Sequence, residues 1–343
     1  MDNVTPSAHR SIYSWLAKIA VILALIVIML GAYTRLKDAG LGCPDWPGCY
    51  GKMLLPQTTP GLQAAQMAFP HLPLEPQKAW AEMIHRYFAG TLGVLILILT
   101  VGGIGRRLKH PEQPIFILGL MVFLVIFQAV LGMWTVTWKL LPLIVTAHLM
   151  MGMTLAGCLM WVALKSCPAL KAAESSAYSA KPWIVFGLLI LGIQIFLGAW
   201  TSTHYAALAC PHFPTCQGKL FPPLDWASAF NLLNPIGPNY EGGKLTMMAR
   251  VTIHMAHRYW AFFTLFYFFI LCLTILLKKS WQSLHKLSWA VLLLLLLQVT
   301  LGILNVEWSL PLHIAVAHNG VAAILLLIVL ALLFKTHRVE KFP

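Results

Sequence analysis

Glu82, His85 and Arg86 put a carboxylate, an imidazole and a guanidinium within about one helical turn, at the mouth of an apolar run from Tyr87 to Ile104. Ionisable side chains at the edge of a membrane-length apolar stretch are costly and by default functional. Spacings of three and four place them on one helix face. A near copy follows at His254, His257 and Arg258, where His254 takes the glutamate's place. Two related sites are expected, and only the first carries a carboxylate. Glu82 could move protons or stabilise developing positive charge. It could equally pair with Arg86 one turn away and only fix geometry.

The chain around these residues is 59% hydrophobic and 10% charged, against about 25% charged in soluble domains. That composition predicts an all-α membrane protein. Apolar runs near residues 16–35, 83–104, 115–136, 142–164, 183–203, 250–277, 287–306 and 313–334 predict eight transmembrane helices. The first run is long and no small-x-small site follows it, so it is expected to stay rather than be cleaved. Lys and Arg gather near both termini and after the second, fourth, sixth and eighth runs. The positive-inside rule then places both termini in the cytoplasm and the 36–80 and 203–248 loops outside. The net charge of +13 reads as topological, with anionic lipid as its partner and no nucleic acid.

The two sites belong to a wider duplication. Cys43-Pro44 … Pro47 … Cys49 … Gly51-Lys52 is answered at identical spacing by Cys210-Pro211 … Pro214 … Cys216 … Gly218-Lys219. Gly31-Ala32 … Thr34 is answered by Gly198-Ala199 … Thr201. Gln128 and Gly132 precede His148 as Gln298 and Gly302 precede His318. Four spans per unit keep the copies in one orientation, so two tandem four-helix bundles are expected. The N-terminal unit is 1–165, a cytoplasmic linker is 166–182, and the C-terminal unit is 183–343.

Of thirteen histidines, the repeat picks out His85, His148, His257 and His318. Each begins an even-numbered span and so lies in the outer half of the bilayer. Two imidazoles on facing helices can ligate one metal from both sides. A haem suits this best, because an apolar bundle accepts a flat macrocycle and imidazole is a standard axial ligand. The pairs are then His85 with His148 and His257 with His318. Structural zinc wants four ligands and fits less well. The plain alternative is an interhelical hydrogen bond. Arg86 and Arg258 suit pairing with haem propionates, or they snorkel to headgroups. Arg35 is a further propionate candidate, although Ser202 stands at its repeat position. His254 is a core hydrogen bonder or part of an electron or proton path. His71, His204, His212 and His313 are expected to be solvated in outer loops, and His9, His110, His285 and His337 at the cytoplasmic surface.

Cys43 with Cys49 and Cys210 with Cys216 lie in outward loops, where an oxidising compartment allows a disulfide in each. They are loop staples, or redox groups beside the haem edges. A zinc site shared by both pairs lacks CxxC spacing. Cys158 and Cys272 read as helix packing, and Cys167 as a free cytoplasmic-side thiol.

Taken together, the eight spans, the tandem units, Glu82-x-x-His85-Arg86, the four helix histidines and the loop cysteine pairs resemble the haem A synthases, over roughly residues 15–335. Within that family the match is to the bacterial branch with cysteine pairs. The resemblance implies an oxidoreductase that converts the methyl group of haem O to a formyl group by successive hydroxylations, giving haem A for cytochrome oxidase. It implies that the first half takes haem O, with His85 and His148 at its iron and Glu82 in the chemistry. The second half then keeps a haem b through His257 and His318. It also implies a bacterial inner-membrane location, a haem O synthase as a partner and an electron acceptor of unspecified chemistry; a homo-oligomer stays open. Other classes remain: a quinol-linked cytochrome b, which could do without Glu82, a haem carrier without turnover, and a transporter, which would be expected to show broken helices at midplane.

Overall fold

The computed structural model describes residues 6–70, 73–107, 113–166, 175–233 and 235–337. Cys167, His71, His110 and residues 167–174 of the expected linker lie outside the described residues. The described chain is all-helical. Eight helices are long and apolar enough to cross a membrane, and the protein is a multi-pass membrane protein. They are α1 (Pro6–Leu36), α3 (Pro76–Arg107), α4 (Ile115–Thr137), α5 (Pro142–Lys165), α6 (Lys181–Thr203), α8 (Met247–Leu277), α9 (His285–Glu307) and α10 (Leu312–Lys335). Two short helices, α2 (Thr59–Ala68) and α7 (Trp226–Ala229), lie in the long loops.

The helix ends repeat as the sequence does. Lys139 and Leu140 close α4 with two consecutive left-handed residues, and Ser309 and Leu310 close α9 the same way. Leu140 N donates to Thr135 O and Leu310 N to Asn305 O. A single left-handed residue ends α1 at Asp38 and α6 at Tyr205. Such conformations are uncommon for non-glycine residues, and their recurrence at matching positions is compatible with two copies of one unit.

Packing follows the same division. α1 packs on α3 and α5, and α4 on α3 and α5; α6 packs on α8 and α10, and α9 on α8 and α10. The halves meet through α1, α5, α6 and α10. This arrangement is compatible with tandem four-helix bundles. Each half has an apolar core toward the end of the bundle that carries the chain termini. One gathers Ala17, Ala20, Ile96, Leu99, Leu118 and Leu159; the other gathers Ile184, Phe268, Leu271, Val291 and Leu332. Alanines on α1 let neighbouring backbones approach closely. The outer ends of the helices are thereby left for other work. α3 has 32 residues, about 48 Å at 1.5 Å per residue. That exceeds the roughly 30 Å hydrocarbon layer, and the first cysteine loop leans on the excess.

Candidate haem sites and their disulfide loops

Each candidate ligand rests against a bare backbone on the adjacent helix. A methyl group added at Gly31 on α1 would meet His85 Cε1 at 3.0 Å, and one at Gly198 on α6 would meet His257 Cε1 at 3.1 Å. Gly302 on α9 stands in the same relation to His318 at 3.2 Å, and Gly132 on α4 to His148 at 3.6 Å. The glycines that mark the repeat are therefore the positions that admit the imidazoles. Within each half the two histidines also lie close enough to interact electrostatically: His85 with His148, and His257 with His318.

These surroundings fit a haem. The four rings are half-buried. Nδ1 of His85, His148 and His318 is sealed from solvent without a hydrogen-bond partner. Among the described residues, no group of three or more His, Cys, Asp or Glu could hold a metal ion. A porphyrin supplies four ligands of its own and needs only two axial ones, so a histidine pair suffices. Three glutamines that the motif reading did not assign also belong here. Gln194 Nε2 lies 3.2 Å from His257 Nδ1, Gln298 Nε2 lies 3.2 Å from His318 Nε2, and Gln128 Nε2 donates to the backbone carbonyl of His148 at 2.9 Å. The signal for two of them was present in the twenty-residue spacing from Gln128 to His148 and from Gln298 to His318.

Above each pair sits a disulfide loop, Cys43–Cys49 and Cys210–Cys216, with Cα–Cα separations of 4.8 and 4.6 Å. The loops have one conformation, including a bridge from each second cysteine to the lysine three residues on. The arginines beside the histidines reach into them. Arg86 Nη1 donates to the carbonyls of Asp45, Pro47 and Gly48 at 3.0, 3.2 and 2.5 Å. Arg258 Nη1 donates to the repeat-matched carbonyls of His212 and Thr215 at 2.9 and 3.2 Å, and its Nη2 to Cys210 O at 2.9 Å. Neither guanidinium snorkels to headgroups, and a contact with a propionate would have to share these donors.

The fourth helix position decides how each arginine is held. Glu82 is 5% exposed. Its Oε1 accepts from Arg86 Nη2, and its Oε2 accepts from Cys43 N at 2.9 Å. The carboxylate thus joins α3 to the first disulfide itself. His254 is 4% exposed; its Nδ1 donates to Ala206 O at 3.0 Å and its Nε2 accepts from Arg258 Nε at 2.9 Å. Both contacts require a neutral ring protonated on Nδ1. His254 is therefore a core hydrogen bonder.

Other residues land away from the histidine pairs. Arg35 stands at the seam between the halves: Nη2 donates to Ser202 O at 2.6 Å, Nη1 pairs with Asp38 at 3.4 Å, and the guanidinium lies 4.0 Å from the Tyr205 ring centre. His204 corrects an expectation. It is not solvated but 3% exposed, with its ring 4.4 Å from that of Trp200. The α6 terminus folds back against the loop here, and burial pushes the imidazole down to about 4. His212 and His313 are exposed, as expected. Cys272 is buried in the second core and Cys158 is half-buried.

The fold and these sites define a polytopic helical membrane protein with two repeat-related histidine pairs, each under a disulfide loop. Residues 14–330 match the family model COX15-CtaA, described as cytochrome oxidase assembly protein. The chain is 45% identical to the Heme A synthase of Shewanella oneidensis, covering 92% of this chain and 93% of that protein. It is 25% identical to the Heme A synthase of Caulobacter vibrioides over 96% and 97% of the two chains, and 24% identical to that of Geobacillus kaustophilus over 92% and 91%. The chain belongs to the COX15-CtaA family.

Proposed function

We propose that the chain is a haem A synthase: an oxidoreductase that takes haem O and oxidises one methyl group to a formyl group by successive hydroxylations. The observation that carries this reading is the asymmetry of two otherwise matched sites. Both halves have a histidine pair and an arginine-held disulfide loop, but only the first has a carboxylate, Glu82, one turn from a candidate ligand. Family membership and the three relatives support the same activity.

In this reading residues 1–165 form the substrate unit, 166–182 the linker and 183–343 the electron-transfer unit. His85 and His148 hold the haem O substrate. His257 and His318 hold a haem b, which supplies one-electron chemistry when bound. Arg86 and Cys43 N fix the Glu82 carboxylate between the helix and the disulfide loop, where a proton leaving the substrate can be taken up or positive charge balanced. The buried apolar cores below each site keep water from the cytoplasmic side. Lysine and arginine placement supports cytoplasmic termini, and the family resemblance supports a bacterial inner-membrane location. A haem O synthase would deliver the substrate, and an external acceptor would drain electrons.

The test is chromatography of haems extracted from cells that express the chain with a haem O source and make no haem A of their own. Haem A should appear only with the chain present. Bound haem without haem A would instead support an electron-transfer cytochrome or a haem carrier.

A further inference from the structure

The two histidine pairs differ in what holds their rings. His257 has the amide of Gln194 at its Nδ1. Counting back along the repeat that matches Gly198 with Gly31, the first-half counterpart of Gln194 is Val27. Valine has no side chain to hydrogen-bond. The His85 ring is in hydrogen-bonding reach of the Val27 backbone, but no side chain holds its Nδ1. On the second pair of helices no such contrast exists: Gln298 lies against Nε2 of His318 and Gln128 donates to the backbone carbonyl of His148, and Nδ1 is bare in both rings.

The chemistry of the Gln194 contact is specific. Oε1 of Gln194 is buried without a partner while its Nε2 faces His257 Nδ1. Turning the amide over exchanges the two atoms with no other movement, so that Oε1 accepts from Nδ1–H. That removes a buried unsatisfied acceptor, and it fixes the tautomer whose Nε2 lone pair can bind iron. A ring held this way keeps its orientation whether or not the iron changes its oxidation state.

We infer that Gln194 is the positioning residue that makes the second-half haem a permanent resident, and that Val27 at the matching place, with no side-chain partner for the ring, leaves the first-half haem free to exchange as substrate and product. The inference rests on the proposed assignment of haem b to His257 and His318. Discrimination in haem retention then lies in the residue that holds the ring, because the ligands, the cradling glycines and the loop conformation match in both halves and Glu82 and His254 hold the arginines rather than the ligand rings.

The test uses the full-length protein purified with its haems and measures haem transfer to excess apomyoglobin, with the haem type identified by extraction. Gln194→Met, of similar length but with no acceptor, should release haem b about tenfold faster, the low end of what loss of such an outer partner costs. Gln194→Glu keeps an acceptor at Nδ1 and should restore slow release while lowering the midpoint potential, since a carboxylate makes the imidazole more electron-donating. Val27→Gln should slow release of the first-half haem by a similar factor. Wild-type release and potential in Gln194→Met would overturn the inference, as would failure of Gln194→Glu to restore retention. His257→Ala separates this from the underlying assignment: full haem b in that variant rejects the ligand set, whereas haem lost from His257→Ala but unchanged in Gln194→Met rejects only the role of the glutamine.

Discussion

Arg35 donates from Nη2 to the backbone carbonyl of Ser202 at 2.6 Å, and Ser202 holds in the second half the position that Arg35 holds in the first. The two copies of one helix end, α1 and α6, thus meet each other. Duplication alone would place identical groups there. Instead one copy has become a cation and the other offers a carbonyl, with Tyr205 and Asp38 completing the contact. Tyr205 OH donates to Asp38 at 2.9 Å, and Thr146 and Thr203 hydroxyls pair at 3.3 Å just below.

Because this seam joins the halves, Arg35→Ala should lower the stability of the whole protein in detergent. A hydrogen bond from a charged group contributes about 1.5–3 kcal/mol, and the Arg35 side chain is 17% exposed. Arg35→Lys should restore little of the loss, because an ammonium cannot lie over Tyr205 and reach both acceptors. Thermal unfolding of the three proteins measures this; equal midpoints would remove Arg35 from the seam.

The ligand pairs make a sharper expectation. His257→Ala or His318→Ala should strip low-spin haem b from the purified protein, and Cys158→Ala should leave it in place. Pyridine haemochrome spectra count the haem. Full occupancy in both histidine variants would reject the assignment.

Glu82→Gln keeps the size of the side chain and one acceptor oxygen, enough for Arg86, while the amide nitrogen replaces the oxygen that accepts from Cys43 N. If the carboxylate serves only as a bracket for the loop, turnover stays near wild type. If it handles protons or positive charge, haem A formation should fall by about 10²–10⁴, with haem b at His257 and His318 unchanged. Chromatography of extracted haems separates the two, and it also reveals any hydroxylated intermediate that accumulates. Wild-type yields would leave Glu82 as a structural partner of Arg86.

For the loops, replacing Cys210 and Cys216 together by serine should cost about 2 kcal/mol, the loop-entropy value for so short a ring, and lower turnover less. Abolished turnover with unchanged melting would assign the pair a redox role instead. Free thiols in the untreated protein, detected by mass shift on alkylation, would remove both roles.

His204, at the C-terminal cap of α6, predicts a pH dependence. Burial, then the nearby charges of Arg250 and Arg35, push its imidazole down to about 4, below the ordinary value of about 6.5. Between those values the unfolded chain binds a proton that the folded protein refuses. Stability therefore rises with pH across that window and falls on acidification, by up to about 3 kcal/mol. His204→Phe keeps a ring against Trp200 and should flatten the dependence between about pH 4 and 6.5. The same slope in both proteins would show that other groups titrate.

Much of this protein was legible in its sequence because a bilayer imposes length and polarity on every span. The eight helices, the duplication and the four repeat-matched histidines follow from apolar runs and from spacing. The cysteine pairing was readable for a similar reason, since each pair is local and nothing else nearby competes. What spacing could not supply is direction. Arg86 and Arg258 look alike as outer-edge cations in the sequence, and only the folded loops give them backbone carbonyls to hold. His204 reads as a loop residue, yet the turn after α6 buries it. Gly31, Gly132, Gly198 and Gln298 appear in the sequence as landmarks, and Gln194 does not stand out at all. Their roles depend on which side chain of a neighbouring helix arrives within about 3 Å, the range of a hydrogen bond or a tight packing contact. That is set by how two helices cross, which neither helix encodes alone.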